Sequence, residues 1–156
     1  MVKTGVKWGK GVEKMFLGEY QHSVDDKGRL FIPAKLREAL GKTFYICKGF
    51  DGCLLIYDEE QWQQFAAKLN ALPMAKKSAR DAKRFFFAGA SEGSCDKQGR
   101  VLVAASMRAY ADIAKDVVII GVGDKAEIWA AERWQEQNQD ADQFMMEELG
   151  DLDIDI

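Results

Sequence analysis

An internal repeat constrains the fold of this chain more than any other feature of its sequence. When residues 16–38 are compared with the chain 71 positions further on, eight of the 23 positions are identical. About one or two identities would be expected by chance at average residue usage. The identical pairs are Phe16/Phe87, Gly18/Gly89, Ser23/Ser94, Asp25/Asp96, Gly28/Gly99, Arg29/Arg100, Ala34/Ala105 and Arg37/Arg108. The chain is therefore a tandem duplication of one small unit.

The likeness continues towards the C-terminus after one added residue. At an offset of 72 the identical pairs are Gly49/Gly121, Ile56/Ile128, Glu60/Glu132, Trp62/Trp134 and Gln63/Gln135. We therefore predict a first repeat with a connecting basic helix over residues 15–84 and a second repeat over residues 85–138. Residues 1–14 are predicted to form a flexible basic extension, and residues 139–156 an acidic tail.

Both repeats predict the same succession of strands and helices. Asp25 begins a turn that contains Gly28, which suits a tight hairpin because glycine tolerates positive φ. The elements predicted for the first repeat are strands over 18–24, 30–32, 43–47 and 53–57, a short helix from Pro33 to Gly41 and a helix from Asp58. Those predicted for the second repeat are strands over 101–103, 117–121 and 126–129, a short helix around 106–111 and a helix from about Ala131.

The duplication also predicts how the strands are buried. A two-stranded hairpin is marginally stable alone, so units of this size bury their apolar faces against one another. Two fused copies can close a small barrel with pseudo-twofold symmetry. The predicted fold class is therefore mainly β with short helices, an α+β fold.

The distribution of charge bears on the partner class. The chain has a net charge of −3, but eight acidic residues and no basic ones follow Trp134. Residues 1–134 consequently carry a net charge of +5, which is compatible with nucleic-acid binding. No stretch is apolar and long enough to cross a bilayer, so we expect a cytoplasmic protein without a membrane partner.

Cysteine and histidine usage argues against catalysis and metal binding. The three cysteines form no CxxC pair, and one histidine, His22, is present, so no zinc site, cofactor or disulfide framework is expected. The acidic pairs Asp25/Asp26 and Glu59/Glu60 look like turn and helix-cap residues. No nucleophile set and no phosphate-cradling glycine motif occurs. The chain is therefore predicted not to be an enzyme, and no small-molecule substrate is expected.

A basic segment connects the repeats. Lys76, Arg80, Lys83 and Arg84 fall on one side of a predicted helix. Three interpretations stay open for this face: a solvated surface, a contact to phosphates, or a contact to an acidic neighbouring subunit.

The repeated turns are the strongest candidates for function. Arg29 and Arg100 follow Lys27 and Lys97 closely in these turns, and arginine can read guanine or clamp phosphate while lysine supplies charge. The competing interpretation is an Asp–Arg bridge that only holds the turn, worth about 0–1 kcal/mol at a surface. Two further repeated arginines, Arg37 and Arg108 of the short helices, could support the turns or a subunit interface.

Several segments resemble the MraZ family. Residues 16–20 (FLGEY), 25–29 (DDKGR) and 32–37 (IPAKLR) resemble the start of the family, and residues 96–100 (DKQGR) resemble its second repeat. One D-x-x-x-R would be a weak signal, whereas two in register within duplicated surroundings are a strong one. Two positions depart from the pattern: Ala104 replaces the proline, so that the second short helix should start less sharply, and Ala130 replaces Asp58 as a helix cap.

The resemblance implies a fold and a function. It implies an AbrB-like swapped-hairpin β-barrel, in which two repeats of one chain replace a dimer, and assembly of several copies into a ring. It also implies a nucleoid-associated transcription regulator that binds direct repeats in double-stranded DNA upstream of its own operon of division and cell-wall genes. The alternative is an architectural oligomer without specific DNA binding.

Carried onto this chain, the resemblance implies that the D-x-x-x-R turns bind DNA. The residues implied to contact DNA are Arg29, Arg100, Lys27 and Lys97. Those implied to shape the turns are Asp25, Gly28, Asp96 and Gly99.

Overall fold

The computed structural model describes residues 15–154, so the predicted extension and the last two residues of the predicted tail lie outside the described residues. The strands are β1 Glu19–Ser23, β2 Arg29–Phe31, β3 Phe44–Lys48, β4 Leu54–Asp58, β5 Ser91–Gly93, β6 Arg100–Leu102, β7 Asp116–Gly121 and β8 Ala126–Ala130. The helices are α1 Ala34–Leu40, α2 Glu59–Asn70, α3 Lys77–Ala88, α4 Ala105–Tyr110, α5 Ala131–Gln137 and α6 Ala141–Asp151. The predicted succession of strands and helices therefore occurs in both repeats.

Strand pairing interleaves the two repeats. A six-stranded antiparallel sheet has the order β1-β7-β8-β4-β3-β5, and a two-stranded ribbon pairs β2 with β6. The first strand of each repeat thus pairs with the other repeat, β1 with β7 and β5 with β3. The α+β class is confirmed, and the sheet does not close on itself, because β1 and β5 form its two edges.

The turns over 25–29 and 96–100, here called loop one and loop two, are closed by the backbone as the sequence predicts: the Asp25 N–H donates to the Arg29 carbonyl at 2.9 Å, and the Asp96 N–H donates to the Arg100 carbonyl at 2.8 Å. Next to loop one, the chain makes one further isolated bridge, between Val24 and Leu30. Beyond the loop, β1 pairs with β7 in the large sheet and β2 pairs with β6 in the ribbon. Each loop therefore carries the chain from the large sheet to the ribbon.

The ribbon lies on a pseudo-twofold axis. Leu30 of β2 pairs with Val101 of β6, its equivalent in the other repeat. Two backbone hydrogen bonds repeat this symmetry: the Ile32 N–H donates to the Gly99 carbonyl at 2.9 Å, and the Val103 N–H donates to the Gly28 carbonyl at 2.8 Å. Each loop is therefore bonded to the strand that follows the other loop.

The two faces of the sheet bury separate apolar clusters. One cluster joins the ribbon, α1 and α4 to the inner face, and it includes fully buried Leu30, Ile46 and Ile128. The other lies on the outer face, where Trp62, Phe65 and Phe87 pack against it from α2 and α3, and Trp134 from α5. Because the ribbon is one wall of the first cluster, burial of that core holds the loops in place.

The two departures from the repeat pattern have different outcomes. Ala104 has φ −58° and ψ 148°, close to the −55° and 147° of Pro33, so the expected softer start of the second short helix was wrong. Asp58 caps α2 by accepting a hydrogen bond from the Gln61 N–H, whereas Ala130 gives α5 no side-chain cap. The weaker cap accompanies a shorter helix, of seven residues instead of twelve.

The ribbon predicts unequal effects of two leucine substitutions. Leu30→Ala should lower the free energy of unfolding by about 2–5 kcal/mol, because a fully buried side chain is removed from the shared core. Leu102 lies on the same ribbon but is 62% exposed, so Leu102→Ala should lower the free energy of unfolding by about 0.5 kcal/mol or less. Equilibrium denaturant unfolding measures both. Equal losses would contradict a core built on the ribbon.

Candidate functional site

One carboxylate organises loop one. Asp25 Oδ1 accepts hydrogen bonds from the backbone N–H groups of Lys27, at 3.0 Å, and Arg29, at 2.8 Å. Its Oδ2 accepts from Arg29 Nε at 2.7 Å. The backbone closes the turn as well, since the Gly28 N–H donates to the Asp25 carbonyl at 3.0 Å. The aspartate thus fixes the backbone and the arginine side chain together.

Loop two repeats this arrangement. Asp96 Oδ1 accepts from the N–H groups of Gln98 and Arg100, each at 2.9 Å, and Oδ2 accepts from Arg100 Nε at 3.0 Å. The Gly99 N–H donates to the Asp96 carbonyl at 3.0 Å. Asp25 and Asp96 therefore accept the same set of hydrogen bonds in their respective loops.

Hydrogen bonding keeps both carboxylates ionised. The backbone N–H of Arg29 is the largest influence that lowers the pKa of Asp25, and that of Arg100 acts in the same way on Asp96. Both carboxylates therefore remain charged at neutral pH and hold their arginines by Coulomb attraction as well as by hydrogen bonds. At a solvated surface the main result is orientation of the arginine, and the gain in stability is small.

The two loops lie side by side. Arg100 Nη1 is 3.9 Å from Asp25 Oδ2, so the arginine of one loop reaches the aspartate of the other. The side chains of Arg29 and Arg100 are 33% and 28% exposed, while Lys27 and Lys97 are exposed. The structure brings Lys27, Arg29 and Arg100 to one groove between the loops, whereas Lys97 is exposed on loop two and does not line that groove.

The loop glycines are packed against arginines of the opposite repeat. Gly28 has φ +83°, and a Cβ atom there would lie 3.0 Å from Arg108 Nη2. Gly99 has φ +81° and faces Arg37 in the same way, at 3.0 Å. Arg37 Nε donates to the Ile32 carbonyl and Arg108 Nε to the Val103 carbonyl. Of the two roles considered for Arg37 and Arg108, these contacts favour support of the loops.

A groove runs between the loops, and its apolar border was not identified from the sequence. Its cationic lining consists of Lys27, Arg29 and Arg100, and the other lining residues are Ser94, Cys95, Asp96 and Leu102. Leu102 is 62% exposed at this border. Its equivalent in the first repeat is Phe31, so the loop surroundings differ more than the loops themselves.

The connecting basic helix α3 is partly engaged in local contacts. Arg80 donates to the carbonyl oxygens of Met74 and Ala75, at 2.8 and 3.2 Å. Asp81 forms ion pairs with Lys77 and Arg84 on the same helix. Much of the charge on this helix is thus bound to the chain itself, which weakens its case as a phosphate-binding surface.

The remaining sequence candidates form no chemical site. The ring of His22 lies 5.2 Å from that of Phe31. Cys47 and Cys53 are buried, and burial raises the pKa of both thiols to about 12. Within residues 15–154, no group of three or more His, Cys, Asp or Glu side chains is placed to hold a metal ion. None of the helices in this same range is both long and apolar enough to cross a membrane.

The fold and the loops define a class: a two-repeat α+β protein that exchanges its first strands and presents two aspartate-anchored arginine loops together. The family model for MraZ proteins, a family described as antitoxin-like, matches residues 15–85 and again residues 86–151. The chain belongs to the MraZ family. The second match includes α6, which lies within the predicted acidic tail.

Curated relatives extend over nearly the whole chain. A protein of Heliobacterium modesticaldum named transcriptional regulator MraZ is 52% identical over 143 residues, which cover 90% of this chain and all of the relative. Relatives with the same name from Thermoanaerobacter sp. strain X514 and Clostridium beijerinckii are each 48% identical, with the same coverage of both chains.

The packing of Arg108 on loop one predicts different effects at two glycines. Gly28→Ala and Gly123→Ala each force alanine into a positive φ, which costs about 1–2 kcal/mol. At Gly123 nothing lies within 4 Å of the added methyl group, whereas at Gly28 the methyl group displaces Arg108. Denaturant unfolding should therefore show the larger loss for Gly28→Ala. Equal losses would contradict the contact with Arg108.

Proposed function

We propose that this protein is a transcription regulator that binds double-stranded DNA through loops one and two. The observation that carries the proposal is the side-by-side placement of two arginines, each oriented by an aspartate of its own loop. The names of the relatives, transcriptional regulator MraZ, support the regulatory role. Regulation of this kind requires no catalytic group, and it places the protein in the cytoplasm with the nucleoid.

The chemistry of the loops suits a nucleic acid. An arginine whose Nε is held by a carboxylate keeps its Nη groups as donors for a guanine edge or a phosphate. Lys27 and Lys97 add exposed positive charge, which attracts the backbone without reading sequence. A β-ribbon can bring such side chains to a groove without a recognition helix, as β-ribbon DNA-binding proteins do.

Specificity would come from several copies acting together. One pair of loops offers few contacts, so its binding is weak and largely electrostatic. Copies in a ring can engage evenly spaced direct repeats, and the effective concentration converts weak contacts into firm occupancy. The proposed target is DNA upstream of the protein's own operon of division and cell-wall genes, where occupancy would block or modulate the polymerase.

An architectural oligomer without specific DNA binding is the second candidate. The feature that favours it is the exposed apolar surface of α6, where Phe144 and Met145 are each 41% exposed and Met146 is 75% exposed. None of the residues of this helix is buried in the chain. Exposed apolar surface of this kind is typical of contacts between proteins.

A binding titration tests the proposal. The intact protein is titrated with DNA from upstream of its own gene and with scrambled DNA, at two salt concentrations. We expect preference for the native fragment, weaker binding at higher salt, and loss of binding in Arg29→Ala/Arg100→Ala protein that keeps its fold and oligomeric size.

Arg84→Ala is the matched control, because it removes an exposed arginine from α3 and leaves the loops intact. This variant should bind DNA like the unmodified protein. Normal binding by the loop variant, or loss of binding by Arg84→Ala alone, would contradict the proposed loops. Equal or absent binding of both DNAs by the folded oligomer would favour the architectural candidate.

A further inference from the structure

The two loops have the same backbone but different charges. Their aspartates accept equivalent hydrogen bonds, at 2.7–3.0 Å, so equivalent residues hold equivalent places on the two turns. The equivalent of Asp26 is Lys97, and the equivalent of Lys27 is Gln98. All four side chains belong to exposed residues. The fold is therefore nearly symmetric at the loops, whereas the charge is not.

The groove between the loops reflects this asymmetry. Lys27 lines it together with Arg29 and Arg100, and Leu102 lies at its border. Across the pseudo-twofold axis, Gln98 occupies the place of Lys27 and Phe31 that of Leu102. Phe31 is less exposed than Leu102, at 37% against 62%, and it packs against the His22 ring and under the Arg37 guanidinium. The two sides therefore differ in both charge and bulk.

Lys27 supplies the uncompensated charge of the groove. Arg29 and Arg100 each have an aspartate within 3.0 Å. Within residues 15–154, by contrast, no ion pair forms at Lys27 Nζ. The groove also contains the Asp96 carboxylate, whose Oδ2 accepts from Arg100 Nε. An anion there would meet three cationic side chains and one carboxylate that is already bonded to an arginine, which leaves a net positive environment for a phosphate.

We propose that Lys27, Arg29 and Arg100 form a binding site for one phosphate of the DNA backbone, and that the equivalent surface beside Gln98 does not. The proposal rests on the proposed function, because it takes DNA as the partner. Such a protomer holds a backbone phosphate on the Lys27 side of its pseudo-twofold axis and not on the Gln98 side. It therefore binds the duplex in one orientation, although its strands and loops are duplicated.

Moving one charge across the axis tests this site. Lys27→Gln removes the ammonium group, and Lys27→Gln/Gln98→Lys returns it at the equivalent exposed position, so that the net charge of the unmodified protein is restored. We expect Lys27→Gln to weaken binding to the upstream fragment and to make the negative slope of log K against log salt shallower by about 0.9 for each bound protomer. We expect the double variant to keep this defect.

The controls separate the site from general electrostatics and from the proposed function. Lys68→Gln removes an exposed lysine from α2 and should leave the slope unchanged. Full recovery of affinity in the double variant would overturn the asymmetry, and normal binding by Lys27→Gln would overturn the phosphate site. Either result, together with loss of binding by Arg29→Ala/Arg100→Ala, would leave the proposed function standing. Normal binding by that arginine variant would overturn both.

Discussion

The pairing of β2 with β6 is the interaction on which the rest of the structure depends. It joins equivalent residues of two repeats, Leu30 and Val101, and seals one side of the shared core. The same ribbon carries the reciprocal hydrogen bonds that tie each loop to the opposite repeat. Because a two-stranded unit is marginally stable alone, neither repeat can hold its loop without the other. The β2–β6 pairing therefore both stabilises the fold and sets the position of the loops.

The aspartates of the two loops give this scaffold a surface with two oriented guanidinium groups. A flexible arginine would lose side-chain entropy on binding, whereas Asp25 and Asp96 hold the guanidinium groups before a partner arrives. Packing of Arg37 and Arg108 against the glycines of the opposite loops restricts the turns further. The Asp–Arg contacts add little to the stability of the fold, but they orient the two guanidinium groups. Fixed orientation is what the proposed contact with a DNA duplex requires.

Repeat structure and turn chemistry could be predicted from sequence because they depend on local residue patterns. The pairing of β1 with β7 could not, since a strand's partner depends on competition between distant segments. The alignment of the two repeats shows the same limit. Sequence identity makes Gly49 the equivalent of Gly121. Strand pairing makes Lys48 its equivalent instead, because Phe44 of β3 and Val117 of β7 pair with equivalent residues of β5 and β1. One residue of shift exchanges buried and exposed faces. The groove beside Leu102 could not be predicted either, because it forms only when the two loops pack side by side in the folded chain.

Hydrogen–deuterium exchange of the intact protein, with and without its upstream DNA, tests most directly whether the paired loops form the DNA-binding surface. If the loops bind the duplex, exchange slows in peptides that cover residues 25–29 and 96–100, with little change in α3, whose basic residues are largely engaged within the chain. Slower exchange confined to α3, with both loops unchanged, would contradict DNA binding by the loops.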